Sequence, residues 1–347
     1  MCEEIPVKGF EFVMILIAVL TLMFLTPAYS ASLNLTVVTD KQVYNVGSTA
    51  VFTGGVNNGS VVPNALVLVE VDNPLGNPWI IRTFTTGQAP AGPFYVQLVN
   101  VTPTDAYGDP DYSFNPGNLA GFLVYIENNG GSAYPVVVSL NLFYSNGLPF
   151  YESILFNETL QAGQTVSALG TVPIPVNAVA GQAMVYASVF NKYPKSDGFA
   201  YSPGQSAAFN ITSGVPAQVS QSSPLGNFSF LVPFTSTASL PIRLGNYTAY
   251  ATTQYGYYYT SAQTMFTLQL IGDFLGNGKI DIRDVHIVAL AYGSYGPNYF
   301  YPGSPASSNW NPAACLTGPN GVPDNRVDIR DVNLVAKEYG VVAIPAP

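Results

Sequence analysis

Side chains that do chemistry are scarce in this chain. Its 347 residues include one histidine, His286, and two cysteines, Cys2 and Cys315. A Ser-His-Asp triad, an HExxH zinc site or a histidine acid–base pair therefore has almost nothing to be built from. Two cysteines, one within an N-terminal leader, leave no internal disulfide to staple the fold. Cys315 is read as a small buried hydrophobe, with intermolecular pairing as the alternative. Charge is also thin: Lys, Arg, Asp and Glu make up 9% of residues, and the formal net charge is −9. No basic stripe exists, which argues against nucleic acid as a partner. Neither a P-loop nor a glycine-rich nucleotide turn occurs. The acids Glu70, Glu127, Glu152 and Glu158 show no spacing that singles out a glycosidase pair. The expectation is a protein that is not an enzyme.

Long apolar runs are lacking too, with one exception at residues 12–25, interrupted by Thr21 alone. That length suits the core of a signal peptide better than a membrane span. Ala28 and Ser30 supply small residues where a signal peptidase reads, predicting a mature start at Ala31. The flank is unusual, because Glu3, Glu4 and Glu11 outnumber Lys8. Two alternatives stand beside cleavage. The segment stays as an anchor, or Lys8-Gly9-Phe10 is a processing site resembling that of prepilins, with Met14 where pilins carry Glu. All three place the protein outside the cytoplasm, secreted or at the cell surface. Seven sequons agree, at Asn34, Asn58, Asn100, Asn157, Asn210, Asn227 and Asn246. They are candidate glycosylation sites, and none lies beyond residue 248.

What the chain does have is a repeat. Residues 281–293, DIRDVHIVALAYG, return as residues 328–340, DIRDVNLVAKEYG, with nine of thirteen positions identical. Such an offset copy marks a duplicated unit. Leading into the first copy and through its start, oxygen side chains fall at Asp273, Asn277, Asp281 and Asp284. These are places one, five, nine and twelve of a loop whose sixth residue is Gly278 and whose eighth is Ile280. This is the ligand spacing of an EF-hand calcium loop, with the Lys279 carbonyl at place seven. A helix is expected from about Ile282, with an apolar stripe at Val285, Val288, Ala289 and Tyr292, ending at Gly293. Leu275 stands at place three and offers no oxygen. The second loop leaves its alignment open. Counting back from Asp331 starts it at Asn320, with Asn325 replacing the glycine. Otherwise it starts at Cys315 and carries an insertion. Its donors are Asn320, Asp324, Asp328 and Asp331. The alternative for both loops is a metal-free turn in which Asp side chains accept from backbone N–H groups.

The duplicated loop-plus-helix unit resembles dockerin modules over about residues 271–340. The resemblance implies calcium (Ca2+), with loop one the better site. It also implies a protein partner, either a cohesin-like domain or the chain's own sandwich, contacted through Ile282, Arg283, Ile329 and Arg330.

Residues 31–270 are different. Fifteen of these 240 residues are charged, and strand-like runs recur at 61–71, 121–128, 136–144, 182–190, 227–232 and 246–253. Asn-Gly and Gly-Gly pairs punctuate them. No helical period is sustained. The expected class is mainly β, with Ig-like sandwiches and a small helical module at the C-terminus. Residues 31–90 and 214–269 resemble the two halves of a macroglobulin-like or Ig-like extracellular domain. Residues 91–213 resemble CARDB-type cell-adhesion domains. One sandwich inserted in a loop of the other is the first reading, and two in tandem is the second. Residues 1–30 are the leader and 270–341 the repeat. Tyrosines such as Tyr255, Tyr257, Tyr258 and Tyr259 suit either ordinary sheet packing or a face that stacks on a cell-surface glycan. The function expected is a modular surface protein, with a filament subunit or a carbohydrate-binding accessory as alternatives.

Overall fold

The computed structural model of the chain describes residues 32–212, 226–236, 241–256, 258–318 and 322–347. The leader and its cleavage region, Tyr257 and Asn320 lie outside them. The fold is mainly β. The described residues hold sixteen strands and two short helices, and no helix among them is long and apolar enough to cross a membrane.

One pair of sheets is built from both ends of the β region. Its strands are β1 (Asn34–Thr39), β2 (Val43–Asn45), β3 (Thr49–Asn57), β4 (Leu66–Asp72) and β5 (Pro78–Thr85), joined by β14 (Asn227–Pro233), β15 (Gly245–Tyr255) and β16 (Tyr258–Gln269). The sheet orders are β1-β3-β14 and β2-β16-β15-β4-β5. Alternation drives the packing. Ala50 and Phe52 on β3, and Phe228, Phe230 and Val232 on β14, point inward at every second residue. Phe52 stacks on Phe230 at 4.6 Å, and Tyr247 on Phe266 at 5.2 Å. Burying each such ring contributes about 3 kcal/mol before entropy is counted. Gly54 has no side chain because the Phe228 ring lies where a Cβ would sit, 2.4 Å away. Strand β4 starts at Leu66, five residues later than the apolar run at Val61. The turn at Pro63-Asn64, with Asn64 at φ 65°, interrupts the extended chain.

A second pair of sheets uses the residues between. Its strands are β6 (Val96–Thr104), β7 (Ser113–Phe114), β8 (Leu119–Asn128), β9 (Tyr134–Tyr144), β10 (Pro149–Leu160), β11 (Thr165–Pro173), β12 (Gly181–Phe190) and β13 (Gln205–Ile211). They pair as β10-β9-β12-β13-β7 and β11-β8-β6. The chain thus leaves the first sandwich after β5 and rejoins it at β14, which pairs with β3, and at β15, which pairs with β4.

Strand β9 is buried on both faces, which explains its unbroken apolar stretch. Val136, Val138, Leu140, Leu142 and Tyr144 face the core of their own sandwich. The residues between them turn to the first sandwich, where Val137 joins Leu68, Ile81, Phe190 and Ala200 in a separate small cluster. Two polar residues on that outer face have a defined task. Asn141 Oδ1 accepts from the Ile81 N–H at 2.6 Å, and Ser188 Oγ accepts from the Thr83 N–H at 3.0 Å. The free edge of β5 therefore stands on the neighbouring sheet with its Ile81 and Thr83 N–H groups satisfied, rather than open to strand addition.

Candidate functional site

Each copy of the repeat forms the same local structure. Helix α1 spans Ile282–Ala291 and α2 spans Ile329–Lys337. Asp281 and Asp328 are the N-caps, accepting from the backbone of Arg283 and Arg330. Asp284 and Asp331 return the favour by accepting from the N-cap N–H, closing a capping box. The helices exchange contacts about a local two-fold. Gly293 N–H donates to the Val327 carbonyl, as Gly340 N–H does to the Ile280 carbonyl. Val327 N–H donates to Ser294, as Ile280 N–H does to Val341.

The inward face of α1 is Asp284, Val288 and Ala291. This corrects the apolar stripe expected at Val285, Val288, Ala289 and Tyr292. Val285 is half-buried, while Ala289 and Tyr292 are exposed. Asp284 must turn inward to cap its own helix and loop, and the i, i+4, i+7 register of that residue decides the rest.

In loop one Asp273 accepts from Asn277 and Gly278 N–H groups at 3.1 and 2.7 Å, and Asn277 Oδ1 accepts from Lys279 at 3.1 Å. Asp284 is wholly buried and accepts from Phe274 at 3.0 Å and Asp281 at 2.9 Å. Among the described residues no side-chain cation forms an ion pair with Asp273 or Asp284. Asp281 differs: Arg283 Nη2 lies 2.7 Å and Lys279 Nζ 3.4 Å from Oδ2. The hydrogen bonds from Arg283 hold its carboxyl well below the usual range. Leu275 is exposed at place three.

Loop two resolves its own alignment. Asp331 accepts from Leu316 at 2.7 Å and Thr317 at 2.9 Å, as Asp284 does from Phe274. Cys315 therefore stands where loop one has Asp273, and loop two is five residues longer. Asn325 adopts φ 64° where Gly278 has 78°, a backbone that Asn tolerates better than most residues. The remaining acids are taken. Arg330 Nη2 lies 2.7 Å from Asp324 and 2.6 Å from Asp328. This guanidinium, through its hydrogen bonds, pulls Asp328 down to about 2. Among the described residues no three Asp, Glu, His or Cys side chains converge closely enough to hold a metal ion. The donor types of loop one suit a hard cation: each oxygen of Asp273 and Asp284 keeps lone pairs free, and among the described residues no cationic side chain forms an ion pair with the buried Asp284 carboxylate. Loop two does not suit one, since its first place is a thiol and a guanidinium bridges two of its acids.

The repeat is joined to the first sandwich. Ile280, Val288, Ala291, Ala314, Cys315, Val327, Val335 and Ala343 belong to the same core cluster as Phe234, Ile242, Leu244 and Leu270. The C-terminal tail ties the two. Ala343 N–H donates to Gly278, Ile344 N–H to Ile242 and Leu244 N–H to Ile344, while the Ser236 hydroxyl donates to the Val342 carbonyl. What remains outside is the start and outer side of the helices. Ile282 is 65% exposed, Ile329 54% and Leu290 63%. Leu275, Ile282, Val285, His286 and Ala289 line an open trough of about 720 Å³ on α1. Arg283 and Arg330, expected as partner contacts, are tied to their own N-cap aspartates. All seven sequon asparagines occupy accessible positions: Asn58 is half-buried and the other six are exposed.

One cluster had no signal in the sequence. Where the sandwiches meet, buried Glu70 and Asp72 on β4 and half-buried Glu152 on β10 gather around Lys195. Its Nζ lies 3.3 Å from Glu70 and 3.2 Å from Asp72. Burial pushes the Glu152 carboxyl from 4.5 up to about 7, with the charge of Glu70 adding to it. Burial also pushes Glu70 up, opposed by the Lys195 backbone N–H and its ammonium.

No family model matches the chain, and no curated protein matches it. Several solved structures share partial likeness. An alkylpurine DNA glycosylase of Pseudomonas fluorescens bound to DNA is 16% identical over 35% of this chain and 31% of its own, at TM-score 0.26. The C-terminal domain of wzt is 14% identical over 38% of this chain and 86% of that domain, at 0.27. A CARDB domain from Pyrococcus furiosus, in complex with di-metal ions, is 14% identical over 35% of this chain and 89% of that one, at 0.22. This chain spans about a third of the glycosylase's length. Likeness at such TM-scores says nothing of what this protein binds or does.

Proposed function

We propose that this is a secreted, non-catalytic surface protein whose β-sandwich body presents a C-terminal docking module. The second sandwich is a domain inserted in the first, supported by the strand pairing that brings the chain back to β3 and β4 after the separate sheets of residues 96–211. One calcium ion organises loop one, held by Asp273, Asn277, the Lys279 carbonyl and Asp284. The ion supplies the countercharge that the buried Asp284 lacks, so its binding energy stabilises the fold. In loop two Arg330 takes the place of a cation. A protein partner is contacted by the open ends of the two helices.

The observation that carries the docking proposal is the contrast between the two sides of the repeat. One side merges with the sandwich core, while Ile282 and Ile329, the matching first residues of the two helices, stand in solvent. Substituting both, Ile282→Asp with Ile329→Asp, is expected to lower retention of the full chain on its own cell-envelope fraction at least tenfold. That corresponds to losing about 1.4 kcal/mol from two central apolar contacts. Retention equal to the parent's, with an unchanged melting curve, refutes the helix ends as the contact.

A further inference from the structure

Arg82 lies at the junction of the two sandwiches without an acidic partner. Its guanidinium carbon is 3.7 Å from the centre of the Tyr186 ring, 4.8 Å from Phe84 and 5.4 Å from Phe143. Three rings thus wall it in. Phe84 comes from the first sandwich, and Phe143 and Tyr186 from the second. The other cation of the junction, Lys195, has two carboxylates within 3.3 Å; Arg82 makes no ion pair among the described residues. Burial accordingly holds its affinity for the proton below the usual value, with Tyr186 opposing. Arg82 is half-buried, and a guanidinium partly withdrawn from water without a countercharge is held at a cost.

Beside it is a pocket of about 160 Å³, lined by Arg82 and Thr83 of β5, Tyr186, Ala187 and Ser188 of β12, and Gly204, Gln205 and Ser206 at the start of β13. The lining contains no carboxylate. It contains hydroxyls and an amide instead, and the Thr83 hydroxyl is buried with no hydrogen-bond partner. Gly204 leaves this space free of a side chain: a Cβ there would lie 3.0 Å from the Ala187 carbonyl oxygen and 3.6 Å from Ser188 Oγ and Thr83 Cβ. We propose that this pocket binds one small oxyanion of carboxylate size, paired to Arg82 at the junction of the two sandwiches. Arginine's planar fork matches a carboxylate with two parallel bonds. The volume admits one such group and excludes a large ligand. The anion would supply the missing countercharge and bridge strands of both sandwiches.

Thermal melts of the full chain in acetate, sulfate and chloride at matched ionic strength test this. Acetate at about 50 mM is expected to raise Tm by about 2 °C above chloride. The rise disappears in Arg82→Met, which keeps the length of the side chain and removes its charge. It also disappears in Gly204→Ala, which keeps the guanidinium and puts a methyl group into the pocket. Sulfate stabilises many proteins without a site, so its rise supports the proposal only in so far as those variants lose it. An acetate rise that survives in either variant overturns the proposal, as does no acetate-specific rise in the parent. Should either variant fail to fold, saturation transfer from the parent to the acetate methyl decides directly, with no transfer counting against the site.

Discussion

Replacing Asp331 with alanine is expected to destabilise the whole chain by about 3 kcal/mol, read as a lower urea midpoint at unchanged slope. The carboxylate accepts from three backbone N–H groups: Leu316 and Thr317 in the loop and Asp328 at the helix start. Alanine orphans all three at a buried position. Each orphaned donor costs about 1 to 3 kcal/mol, and relief of the buried charge offsets part of the sum. Asp331→Asn restores an acceptor for the loop but turns an amide toward the Asp328 N–H, so it recovers about half the loss. The repeat shares its core with the first sandwich, so the loss shows in the main unfolding transition rather than in a separate early one. A shift below about 0.5 kcal/mol contradicts the buried-cap account.

The second large effect is one of pH. Glu152 has its folded pKa raised to about 7 from 4.5. The folded protein therefore binds this proton more tightly than the unfolded chain does. Stability from this group is greatest below about pH 4.5, falls as pH rises toward 7, and stays low above it. Glu152→Gln removes the ionisation and flattens the decline. At pH 8 the variant is expected to be more stable than the parent by about 2 kcal/mol, discounted for the partial exposure of the site. At pH 4.5 the two are expected to differ little. Glu70→Gln gives a smaller gain despite deeper burial, because it deprives the Lys195 ammonium of a carboxylate partner and weakens the acceptor of the Lys195 backbone N–H. Equal pH profiles for parent and Glu152→Gln contradict the assignment.

Much of the architecture could be read from residue patterns. Alternation in 121–128, 182–190 and 227–232 marks strands β8, β12 and β14, and the mainly β class follows from them. The copied DIRDV phrase marks both helix starts, since Asp followed three residues later by a second acid is a capping pair. The rotation of α1 was not legible. The apolar letters favour Val285 and Ala289, whereas the buried Asp284 carboxylate sets the register. Loop two was ambiguous for a similar reason: only the backbone donors gathered on Asp331 show that Cys315, not Asn320, opens it. The junction was hidden for another reason. Glu70, Arg82, Asn141, Glu152 and Ser188 are separated by up to 118 residues, and no local pattern states that a β5 edge will stand on the face of β9 and β12.

The central claim is that one calcium ion, in loop one, organises the docking module. Calorimetric titration of the full chain with calcium tests it most directly. The account predicts a single site and a higher melting temperature in calcium than in chelator. Both are abolished by Asp273→Ala and retained in Asp324→Ala. Absence of binding heat and of any melting shift contradicts the claim, as does a site that survives Asp273→Ala and is lost with Asp324→Ala.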